Sequence, residues 1–533
     1  MNFDTLLNAH LARRPDRIAF YDGTSAVSYR ELDAEAGRLA LRLHDRGARA
    51  GDRLALWLPN CAAWIVVFLA CARLGVTVIA LNTRFRGHEV GDILQRGKCR
   101  WLAMWPDFKG IAFQGILESV DAQCLRRLEG ILVCGGAVAA GGTLAGVPAF
   151  TFEGAPRPAG QPPKAAADDQ ADALVYTTSG TTAVSKLVVH SQGGLIRHGR
   201  DVAAAFGIQD SSAVLLGAPL CGAFGFSTAV AALSAGAALV SAPVFDPVET
   251  AAQIHDCKVT HTFANNELID RLLAAAAGAV PAFPSMRVAG FASFAPSLDT
   301  LPERAQAAQL TLVGLYGSSE LQALVAGQDP ASPLAIRRKA GGRLVSPEGR
   351  VRARDPETGS ILAHGEIGEI EIRAPSLMKM YLDDPQATAR AVDPEGYFRT
   401  GDLGATLSDR AFEFSARQGD YMRLSGFLVN PVEIEQFIEA LDGVLACQVV
   451  GADDGRGSQA PVAFVRRQPG RDIAQEAVID HCQRHMAKFK VPRKVLFVDQ
   501  FPVVESANSN KIQRSKLQEM AKAALVPGPE RLS

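Results

Sequence analysis

The order of apolar segments near the N-terminus constrains the fold more than any other feature of the chain. Strand-like residues 54–58 are followed by a helix-like run at 62–72 and by the β-branched segment 76–80. A strand, a helix and a second strand in this order form a βαβ unit, whose two strands lie parallel in one sheet. The sequence therefore predicts an α/β fold built on parallel sheets.

The same stretch is long enough for a membrane span. Between positions 61 and 81 every side chain is apolar except Arg73 and Thr77, and about 20 such residues can cross a bilayer. Gly75, however, separates a helix-like half from a β-branched half, which is typical of a buried helix followed by a buried strand. We therefore expect no membrane span.

Length, charge and cysteine usage narrow the class of protein. A chain of 533 residues with 48% hydrophobic composition should fold as two or more domains. Its 55 basic residues balance 56 acidic ones, so no net charge favours nucleic acid or an anionic membrane as partner. Nine cysteines without a C-x-x-C pair, and an N-terminus without a signal pattern, predict reduced thiols in a cytoplasmic protein.

Two helix starts can be placed from capping residues. Ser28 and Glu31 have the spacing of a capping box, which predicts a helix that stops near Gly47. Asn430, followed by Pro431 and with Glu433 three positions on, marks a second start. The buried stripe of that second helix is predicted to consist of Ile434, Phe437, Ile438 and Leu441.

A loop rich in hydroxyl residues follows the apolar strand at 173–176. It runs through Thr177 and Thr178 to Lys186. Hydroxyls, free backbone N–H groups and one ammonium suit a polyphosphate. The spacing differs from the pattern G-x-x-x-x-G-K-[ST], because no glycine directly precedes Lys186 and Leu187 follows it. Taken alone, the loop is equally well explained as a Ser/Thr-rich surface turn.

Polar groups also follow a second apolar strand, at 312–315. That strand leads into an aromatic ring, a turn, two hydroxyls and a carboxylate: Tyr316, Gly317, Ser318, Ser319 and Glu320. A strand end delivers such groups to the carboxyl edge of a sheet, where ligands of open α/β sheets bind. We therefore expect a ligand site there.

The uncharged segment 219–226 consists of small and aromatic residues, among them Gly222 and Phe224. It can line an apolar pocket, although helix packing in a core is the commoner explanation.

The C-terminal part of the chain shows a different pattern. Residues 342–402 read as short strands and turns, with strict alternation near 368–372 that predicts one solvent-exposed face and a small β subdomain. Asp402 then lies in a Gly-Asp turn, for which an ordinary turn is the simpler explanation. About a hundred further residues are predicted to form a small α+β domain with Lys511 in a polar turn near its end.

These segments, in this order and at these separations, resemble those of the acyl-adenylate-forming superfamily, which includes acyl-CoA synthetases, luciferases and adenylation domains. The resemblance runs from about Phe3 to Met520, and it rests on the ordered set because each motif alone is weak. It implies a large N-terminal domain of α/β sheets with a small β subdomain, at 1–418. It also implies a small, mobile α+β domain at 419–533, joined by a hinge.

The resemblance implies a role for each motif residue. The loop would hold the β- and γ-phosphates of ATP through Thr178, Ser179, Gly180, Thr181, Thr182 and Lys186. Beside Gly317 and Ser318, Tyr316 would stack on adenine, Ser319 would touch the α-phosphate and Glu320 would help to hold Mg²⁺. Asp402 would accept both ribose hydroxyls, with Arg417 assisting.

Further roles follow for the remaining motif residues. Lys511 would bridge the substrate carboxylate and the α-phosphate, so that Lys511, Ser319 and Glu320 are the catalytic candidates. Gly222 and Phe224 would contact the acyl group. Gly426 would contact coenzyme A, and Gly419 would be the hinge.

Several positions depart from the family pattern. Ala183, Ser185 and Leu187 stand where glycine, proline and glycine are usual, and Gly222 stands where many carboxylic acid ligases carry histidine. Gly419 replaces the usual Asp or Lys of the hinge, and Asn510 replaces the glycine before the late lysine. None of these changes removes a charged group needed for adenylation, so the interpretation as an enzyme stands.

The predicted function is an ATP-dependent, AMP-forming carboxylic acid–CoA ligase with Mg²⁺ as cofactor and ATP and coenzyme A as substrates. In the superfamily that the chain resembles, domains that adenylate amino acids carry an aspartate in the segment that matches 219–226, where it pairs with the substrate's ammonium. Segment 219–226 has no acidic residue, and a buried, unpaired ammonium costs several kcal/mol, so the resemblance implies that amino acids are not the acyl substrates. A small to medium aliphatic, alicyclic or aromatic acid is expected. Two alternatives remain: transfer of the acyl group to an amine or a carrier protein, and a catalytically silent ATP- or acyl-binding protein. A homodimer is possible, and the sequence does not decide the oligomeric state.

Overall fold

The computed structural model describes residues 1–108, 110–136, 138–139, 141–151, 168–178, 186–292, 298, 300–417, 422–424, 427–453, 459–486, 488–505 and 510–525. For a few of these residues, Thr178 and Lys511 among them, only the backbone is described. The chain forms two compact units. Unit 1 comprises Met1–Val351, Ile372–Phe398 and Asp409–Ala411, and unit 2 comprises Arg352–Glu371, Arg399–Ser408 and Phe412–Ser533. The predicted boundary between 418 and 419 lies outside the described residues and stays a prediction.

The helices are α1 Phe3–Arg13, α2 Tyr29–Asp45, α3 Ala62–Leu74, α4 Gly87–Arg96, α5 Phe113–Glu118, α6 Ala122–Leu125, α7 Gln192–Phe206, α8 Ala223–Ala235, α9 Pro247–Asp256, α10 Asn266–Ala275, α11 Leu301–Ala307, α12 Leu334–Arg337, α13 Pro385–Ala391, α14 Pro431–Glu439, α15 Gln475–His485 and α16 Arg514–Leu525.

The strands are β1 Ile18–Asp22, β2 Ser25–Ser28, β3 Arg53–Trp57, β4 Thr77–Ala80, β5 Trp101–Met104, β6 Asp107–Phe108, β7 Ile111–Ala112, β8 Gly130–Val133, β9 Thr143–Leu144, β10 Val147–Thr151, β11 Asp172–Thr178, β12 Lys186–Ser191, β13 Ala213–Leu216, β14 Ala238–Ser241, β15 His261–Asn265, β16 Val288–Ala292, β17 Leu312–Tyr316, β18 Ala326–Gly327, β19 Gly341–Leu344, β20 Arg350–Arg354, β21 Ile367–Arg373, β22 Met380–Tyr381, β23 Phe398–Ser408, β24 Ala411–Arg417, β25 Met422–Leu424, β26 Phe427–Val429, β27 Val444–Asp453, β28 Gln459–Arg467, β29 Lys494–Phe497, β30 Val503–Glu505 and β31 Asn510–Ile512.

Unit 1 contains a sheet with the strand order β22-β12-β11-β4-β3-β5-β8-β10-β9. The predicted βαβ unit is its centre: β3 and β4 pair in parallel, with Leu54 opposite Val78, and α3 connects them. Two antiparallel strands, β12 and β22, extend this sheet beyond β11. The prediction of an α/β fold with a parallel sheet is confirmed.

A second sheet of unit 1 follows the order β2-β1-β14-β13-β15-β16-β17-β18-β19. Its strands from β1 to β17 pair in parallel, apart from the edge strand β2. The last parallel strand, β17, is buried along its whole length and ends at Tyr316. It therefore carries the predicted ligand segment to the carboxyl edge of the sheet.

The apolar run that resembled a membrane span is a core element. Helix α3 ends at Gly75, which takes the left-handed conformation with φ 71°, and β4 follows it in the sheet. Arg73, the charge within the run, is buried and lies 2.7 Å from Asp4 and 2.6 Å from Asp33. In the part of the chain that the structure describes, no helix has both the length and the hydropathy for a bilayer crossing.

The β subdomain predicted for 342–402 corresponds in unit 2 to strands in the order β24-β23-β21-β20. The prediction that the alternating face of β21 is exposed was wrong at Glu371, which is 0% exposed. Its carboxylate is neutralised instead, because Arg352 and Arg354 contact it at 2.6 and 2.7 Å. A third arginine, Arg399, lies 3.8 Å away.

The rest of unit 2 has the predicted small α+β form. Strands β27, β28 and β29 make one sheet, and α14, α15 and α16 contact its strands. Asn430 caps α14 by accepting a hydrogen bond from the backbone of Val432 at 3.0 Å. Ile434 and Ile438 are buried as predicted, whereas Glu435 on the same helix is also buried, at 5% exposure.

Candidate active site

The turn after β17 has an unusual backbone. Residues Ser319–Leu321 form one turn of 3-10 helix, and the next three residues, Gln322, Ala323 and Leu324, have φ of 62°, 48° and 43°. Non-glycine residues rarely adopt these angles, so the surrounding structure must hold them. We call residues 317–324 the Glu320 turn.

Gly317 allows this turn to close on itself. A Cβ atom at this position would lie 2.5 Å from the Cα atom of Ala323, a separation that backbone atoms cannot accommodate. The glycine of the predicted motif is therefore required by the close approach of two backbone segments.

Several side chains from other elements hold the Glu320 turn. His190, on β12, is 1% exposed, and its Nε2 atom lies 2.8 Å from the carbonyl oxygen of Ser319. Because a carbonyl can only accept, His190 must carry its proton on Nε2. Burial lowers the pKa of His190 to about 3, despite the backbone hydrogen bond, so the ring is neutral.

Two further contacts act on Gln322. The hydroxyl of Ser227, on α8, donates to the Gln322 carbonyl, and the Gln322 side chain donates to the carbonyl of Ser376 at 3.1 Å. His198, on α7, faces the backbone of Gln322 and Ala323, and burial lowers its pKa to about 4. The strained segment is thus fixed from at least three other parts of unit 1.

The carboxylate of Glu320 is oriented by segment 376–382. The hydroxyl of Tyr381 donates to Oε1 of Glu320 at 2.8 Å, and the backbone of Met378 donates to the Glu320 carbonyl at 2.7 Å. On its other side the Tyr381 ring carries the ammonium of Lys186, whose Nζ atom lies 4.7 Å from the ring centroid. Lys186 and Glu320, two predicted site residues, are therefore linked by one tyrosine.

The predicted acyl-binding residues are buried at the start of α8. Gly222 is its N-cap, and Phe224 is 5% exposed. A Cβ on Gly225 would lie 2.2 Å from the carbonyl oxygen of Pro219, so the preceding loop packs directly on the helix. Asn60 holds this loop with hydrogen bonds to Ala218 and Leu220 at 3.0 and 2.8 Å.

In unit 2, Asp402 lies within β23 and is 6% exposed. The prediction of a Gly-Asp turn was wrong, because this segment pairs in the sheet between β24 and β21. Its backbone N–H donates to the hydroxyl of Thr400 at 3.1 Å, and that hydroxyl donates to Ile370 at 2.6 Å. The Nε atom of Arg417 lies 3.0 Å from Oδ1 of Asp402. Two residues predicted to act together are therefore adjacent.

Lys511 is placed by a hairpin at the end of unit 2. It lies on β31, opposite Val504 of β30, and α16 begins at Arg514. That arginine donates to Oε1 of Glu435 at 2.8 Å and to the carbonyl of Val449 at 3.0 Å. Burial raises the pKa of Glu435, and the charge of Arg514 opposes this shift. The buried ion pair anchors the helix directly after the lysine.

Other predicted site residues lie outside the described residues. These are Ser179, Gly180, Thr181 and Thr182 of the loop, Gly419 at the hinge, and Gly426 at the coenzyme A site. Thr178 ends β11, and its side chain is likewise not described.

The site chemistry fits Mg²⁺ bound together with a nucleotide. Among the described residues, no group of three or more His, Cys, Asp and Glu side chains is placed to hold a metal by itself. Glu320 offers a half-exposed carboxylate with one oxygen already hydrogen-bonded. Mg²⁺ commonly takes one or two protein carboxylates and completes its shell with water and phosphate oxygens.

Sequence reasoning missed two residues that contact the Glu320 turn, His190 and Tyr381. His190 carried a signal, because it is the one polar residue between Leu187 and Ser191 on an otherwise apolar strand. Tyr381 lies in a mixed segment without alternation, and its contact with Glu320 spans 61 positions. No local pattern predicts a contact of that kind.

Comparison with known proteins gives a consistent family assignment. Residues 7–382 match the family model described as "AMP-binding enzyme", and residues 433–508 match "AMP-binding enzyme C-terminal domain". A curated relative from Rhodococcus jostii (strain RHA1), 29% identical over 95% of this chain and 96% of its own length, is named 3-[(3aS,4S,7aS)-7a-methyl-1,5-dioxo-octahydro-1H-inden-4-yl]propanoyl:CoA ligase.

A second relative and a solved structure are also similar to this chain over nearly its whole length. The 2-succinylbenzoate–CoA ligase of Geobacillus sp. (strain WCH70) is 26% identical over 95% of each chain. The crystal structure of ATP-bound MatB from Rhodopseudomonas palustris superposes with a TM-score of 0.82 at 25% identity, covering 99% of this chain and 100% of that one.

Proposed function

The chain belongs to the AMP-binding enzyme family, and from this premise we propose that it is an ATP-dependent carboxylic acid–CoA ligase. It forms an acyl-adenylate and pyrophosphate from the acid and ATP, and then an acyl-CoA thioester and AMP. The observation that carries this proposal is the family match over both 7–382 and 433–508, together with relatives named CoA ligases that align along nearly their whole length.

In the first half-reaction, a substrate carboxylate oxygen attacks the α-phosphorus of ATP. The new O–P bond forms as the bond to the bridging oxygen breaks, and pyrophosphate leaves with its electron pair. Two anions meet in this step, so positive charge and oriented donors must provide most of the stabilisation. Lys511 is the residue proposed to bridge the carboxylate and the α-phosphate.

The remaining roles in this step are assigned from the resemblance of the sequence motifs to those of the family. Lys186 and the loop before it hold the β- and γ-phosphates, Tyr316 stacks on adenine beside Gly317 and Ser318, and Ser319 contacts the α-phosphate. Asp402 accepts the ribose hydroxyls with Arg417. Bound through Glu320, Mg²⁺ would neutralise phosphate charge.

In the second half-reaction the thiolate of coenzyme A attacks the acyl carbonyl carbon and AMP leaves. We assign the coenzyme A contact to Gly426 and the turning point of the C-terminal domain to Gly419. A glycine absorbs large changes of φ at little steric cost, which is what a hinge requires.

The acyl substrate proposed is an apolar carboxylic acid of small to medium size. Cys221, Ala223 and Phe224 are buried apolar residues around Gly222, and segment 219–226 has no acidic residue to pair with a substrate ammonium. Two relatives are named for acids that contain rings, so alicyclic and aromatic acids are the first to test.

We also propose that the protein is cytoplasmic. Its nine free cysteines support this location.

The experiment is a pyrophosphate-release screen across aliphatic, alicyclic and aromatic acids. Each acid is assayed with coenzyme A, with hydroxylamine, with amines and without an acceptor. We expect one class of acid to release pyrophosphate and to give AMP and a thioester with coenzyme A. Faster turnover with an amine would favour amide formation instead, and nucleotide binding without pyrophosphate release from any acid would favour a silent binding protein.

A further inference from the structure

We propose that Tyr381 is a positioning residue that keeps the ammonium of Lys186 and the carboxylate of Glu320 apart and oriented, and so sets the Mg²⁺ dependence of ATP binding. The inference rests on the proposed function, because that function assigns Lys186 to the terminal phosphates and Glu320 to the metal. It adds a residue that no motif of the sequence had marked.

The geometry places Tyr381 between two opposite charges. Its side chain is 4% exposed. Its hydroxyl donates to Oε1 of Glu320 at 2.8 Å, and the Nζ atom of Lys186 lies 4.7 Å from the centroid of its ring. The phenol group of Tyr381 thus donates to the carboxylate of Glu320, and the negative face of its aromatic ring attracts the ammonium of Lys186.

The backbone fixes the tyrosine relative to both partners. Strand β22 pairs with β12, which puts Tyr381 opposite Val188, and Leu382 donates to the carbonyl of Leu187 at 2.8 Å. Three residues before the tyrosine, Met378 donates to the carbonyl of Glu320 at 2.7 Å. Segment 378–382 therefore joins the strand that begins with Lys186 to the turn that carries Glu320.

The phenol group remains a donor at any working pH. Burial raises the pKa of Tyr381 well above its ordinary value, and the negative charge of Glu320 raises it further. Without this hydroxyl, the carboxylate would lose its orienting partner. Without the ring as well, the ammonium and the carboxylate would be able to pair directly, and ATP and the metal would each have to break that pair.

The two functions of Tyr381 can be separated by substitution. Tyr381→Phe removes the hydroxyl and keeps the ring, so it should act on Glu320 and the metal. Tyr381→Leu removes both, so it should also affect Lys186. Tyr29→Phe is a matched control, because Tyr29 is a buried tyrosine on α2 that donates one hydrogen bond of 2.9 Å to the carbonyl of Ala237.

The test is calorimetric ATP binding by the full-length wild type and each variant, first in EDTA and then over a series of Mg²⁺ concentrations. For Tyr381→Phe we expect ATP affinity in EDTA within about 2-fold of wild type and a Mg²⁺ requirement raised by about 10-fold, the scale of one hydrogen bond to a charged group. For Tyr381→Leu we expect, in addition, an affinity in EDTA lowered by about 3-fold to 10-fold. Tyr29→Phe should match the wild type in both conditions.

The inference is overturned if Tyr381→Phe keeps the wild-type Mg²⁺ response, or if Tyr29→Phe shifts it equally. Should Tyr381→Leu fail to fold, as judged by circular dichroism, the comparison of Tyr381→Phe with Tyr29→Phe still decides. Failure of the proposed function has a different signature: wild-type protein that binds ATP with Mg²⁺ but forms no pyrophosphate with any acid.

Discussion

The Glu320 turn of unit 1 and the segment of strand β23 around Asp402 in unit 2 each present a carboxylate, but they are held in different ways. The Glu320 turn has three consecutive residues with positive φ, and its supports come from 61, 95 and 129 positions away, at Tyr381, Ser227 and His190. The contacts described for Asp402 are to Thr400 on the same strand and to Arg417 on the neighbouring strand β24. The described supports of the Glu320 turn are far along the chain, whereas those of Asp402 are near.

This difference is matched by a difference in proposed roles. In the proposed function, Glu320 and Ser319 would serve the reacting phosphates, whereas Asp402 and Arg417 would hold the ribose. A strained and heavily supported turn is expected where catalytic groups must be fixed before the substrate arrives. A strand segment supported by residues near in the chain suffices for binding, so substitutions in the two regions should change different kinetic constants.

The largest expected effect in this comparison is that of Glu320→Gln. The variant keeps the size of the side chain and an oxygen for Tyr381 but loses the charge. We expect the rate of carboxylate-dependent ATP–pyrophosphate exchange to fall by about 10²-fold or more, the scale for one preorganised charge partner. Glu249→Gln, an exposed glutamate on α9, is the control. A change confined to the KM for ATP would assign Glu320 to binding and remove the contrast with Asp402.

Asp402→Ala should have a smaller effect of a different kind. Loss of a buried polar partner should weaken ATP binding by about 1 to 3 kcal/mol and leave the rate at saturating ATP largely intact. Arg417 is 55% exposed, and exposed ion pairs contribute about 0 to 1 kcal/mol. Arg417→Met should therefore cost less affinity than Asp402→Ala. Equal losses in the two variants, measured by ATP titration, would contradict the assignment of the aspartate as the main ribose contact.

Substitutions of His190 should change both the rate of adenylation and the dependence of stability on pH. His190→Gln retains a donor for the Ser319 carbonyl, whereas His190→Leu leaves that buried acceptor unsatisfied, at a cost of about 1 to 3 kcal/mol. Adenylation should therefore fall about 10-fold or more in the leucine variant, and the glutamine variant should recover most of it.

The pH effect follows from the lowered pKa of His190, about 3 in the folded protein. In the unfolded chain the ring of His190 takes up a proton near pH 6.5, whereas in the folded protein it does so only near pH 3. The free energy of unfolding therefore falls as the pH drops through this range. His190→Gln should flatten the slope by up to about 1.4 kcal/mol per pH unit, measured by urea unfolding between pH 5 and 6.5. His261→Gln is the control, since burial also lowers the pKa of His261, to about 4. His261→Gln should flatten the slope without changing the rate of adenylation. If His261→Gln lost as much activity as the His190 variants, the role of His190 would be structural only.

Much of the fold could be predicted because its signals are local. The capping box at Ser28 and Glu31 is present, with hydrogen bonds of 2.8 and 3.2 Å, and the βαβ unit lies where the apolar segments placed it. The burial of charged residues was not predicted. Glu371 is buried beside Arg352 and Arg354, 19 and 17 positions away, and Glu435 is buried beside Arg514, 79 positions away. Periodicity within one element carries no information about such partners.

The candidate site also contains residues that local sequence signals predict and residues that only tertiary contacts bring together. Tyr316 ends an apolar strand and Glu320 follows it, so the positions of these two residues could be predicted from the sequence. The turn predicted at Asp402 was wrong, because that residue lies within β23. Tyr381 and His190 reach the Glu320 turn only through the pairing of β12, β11 and β22, which no motif encodes. The left-handed backbone at 322–324 could not be predicted either, because none of these residues is glycine and tertiary contacts hold them in this conformation.

The central claim is that this chain activates an acid with ATP and transfers it in two separable half-reactions. The most direct measurement compares wild type, Lys511→Ala and the control Lys516→Ala, an exposed lysine on α16. Acid-dependent ATP–pyrophosphate exchange is measured first, and thioester formation from a pre-made acyl-adenylate second. We predict that Lys511→Ala loses about 10²-fold or more in exchange and keeps thioester formation, while Lys516→Ala resembles wild type in both. Equal loss of the two half-reactions in Lys511→Ala, or wild-type exchange in that variant, would contradict the account.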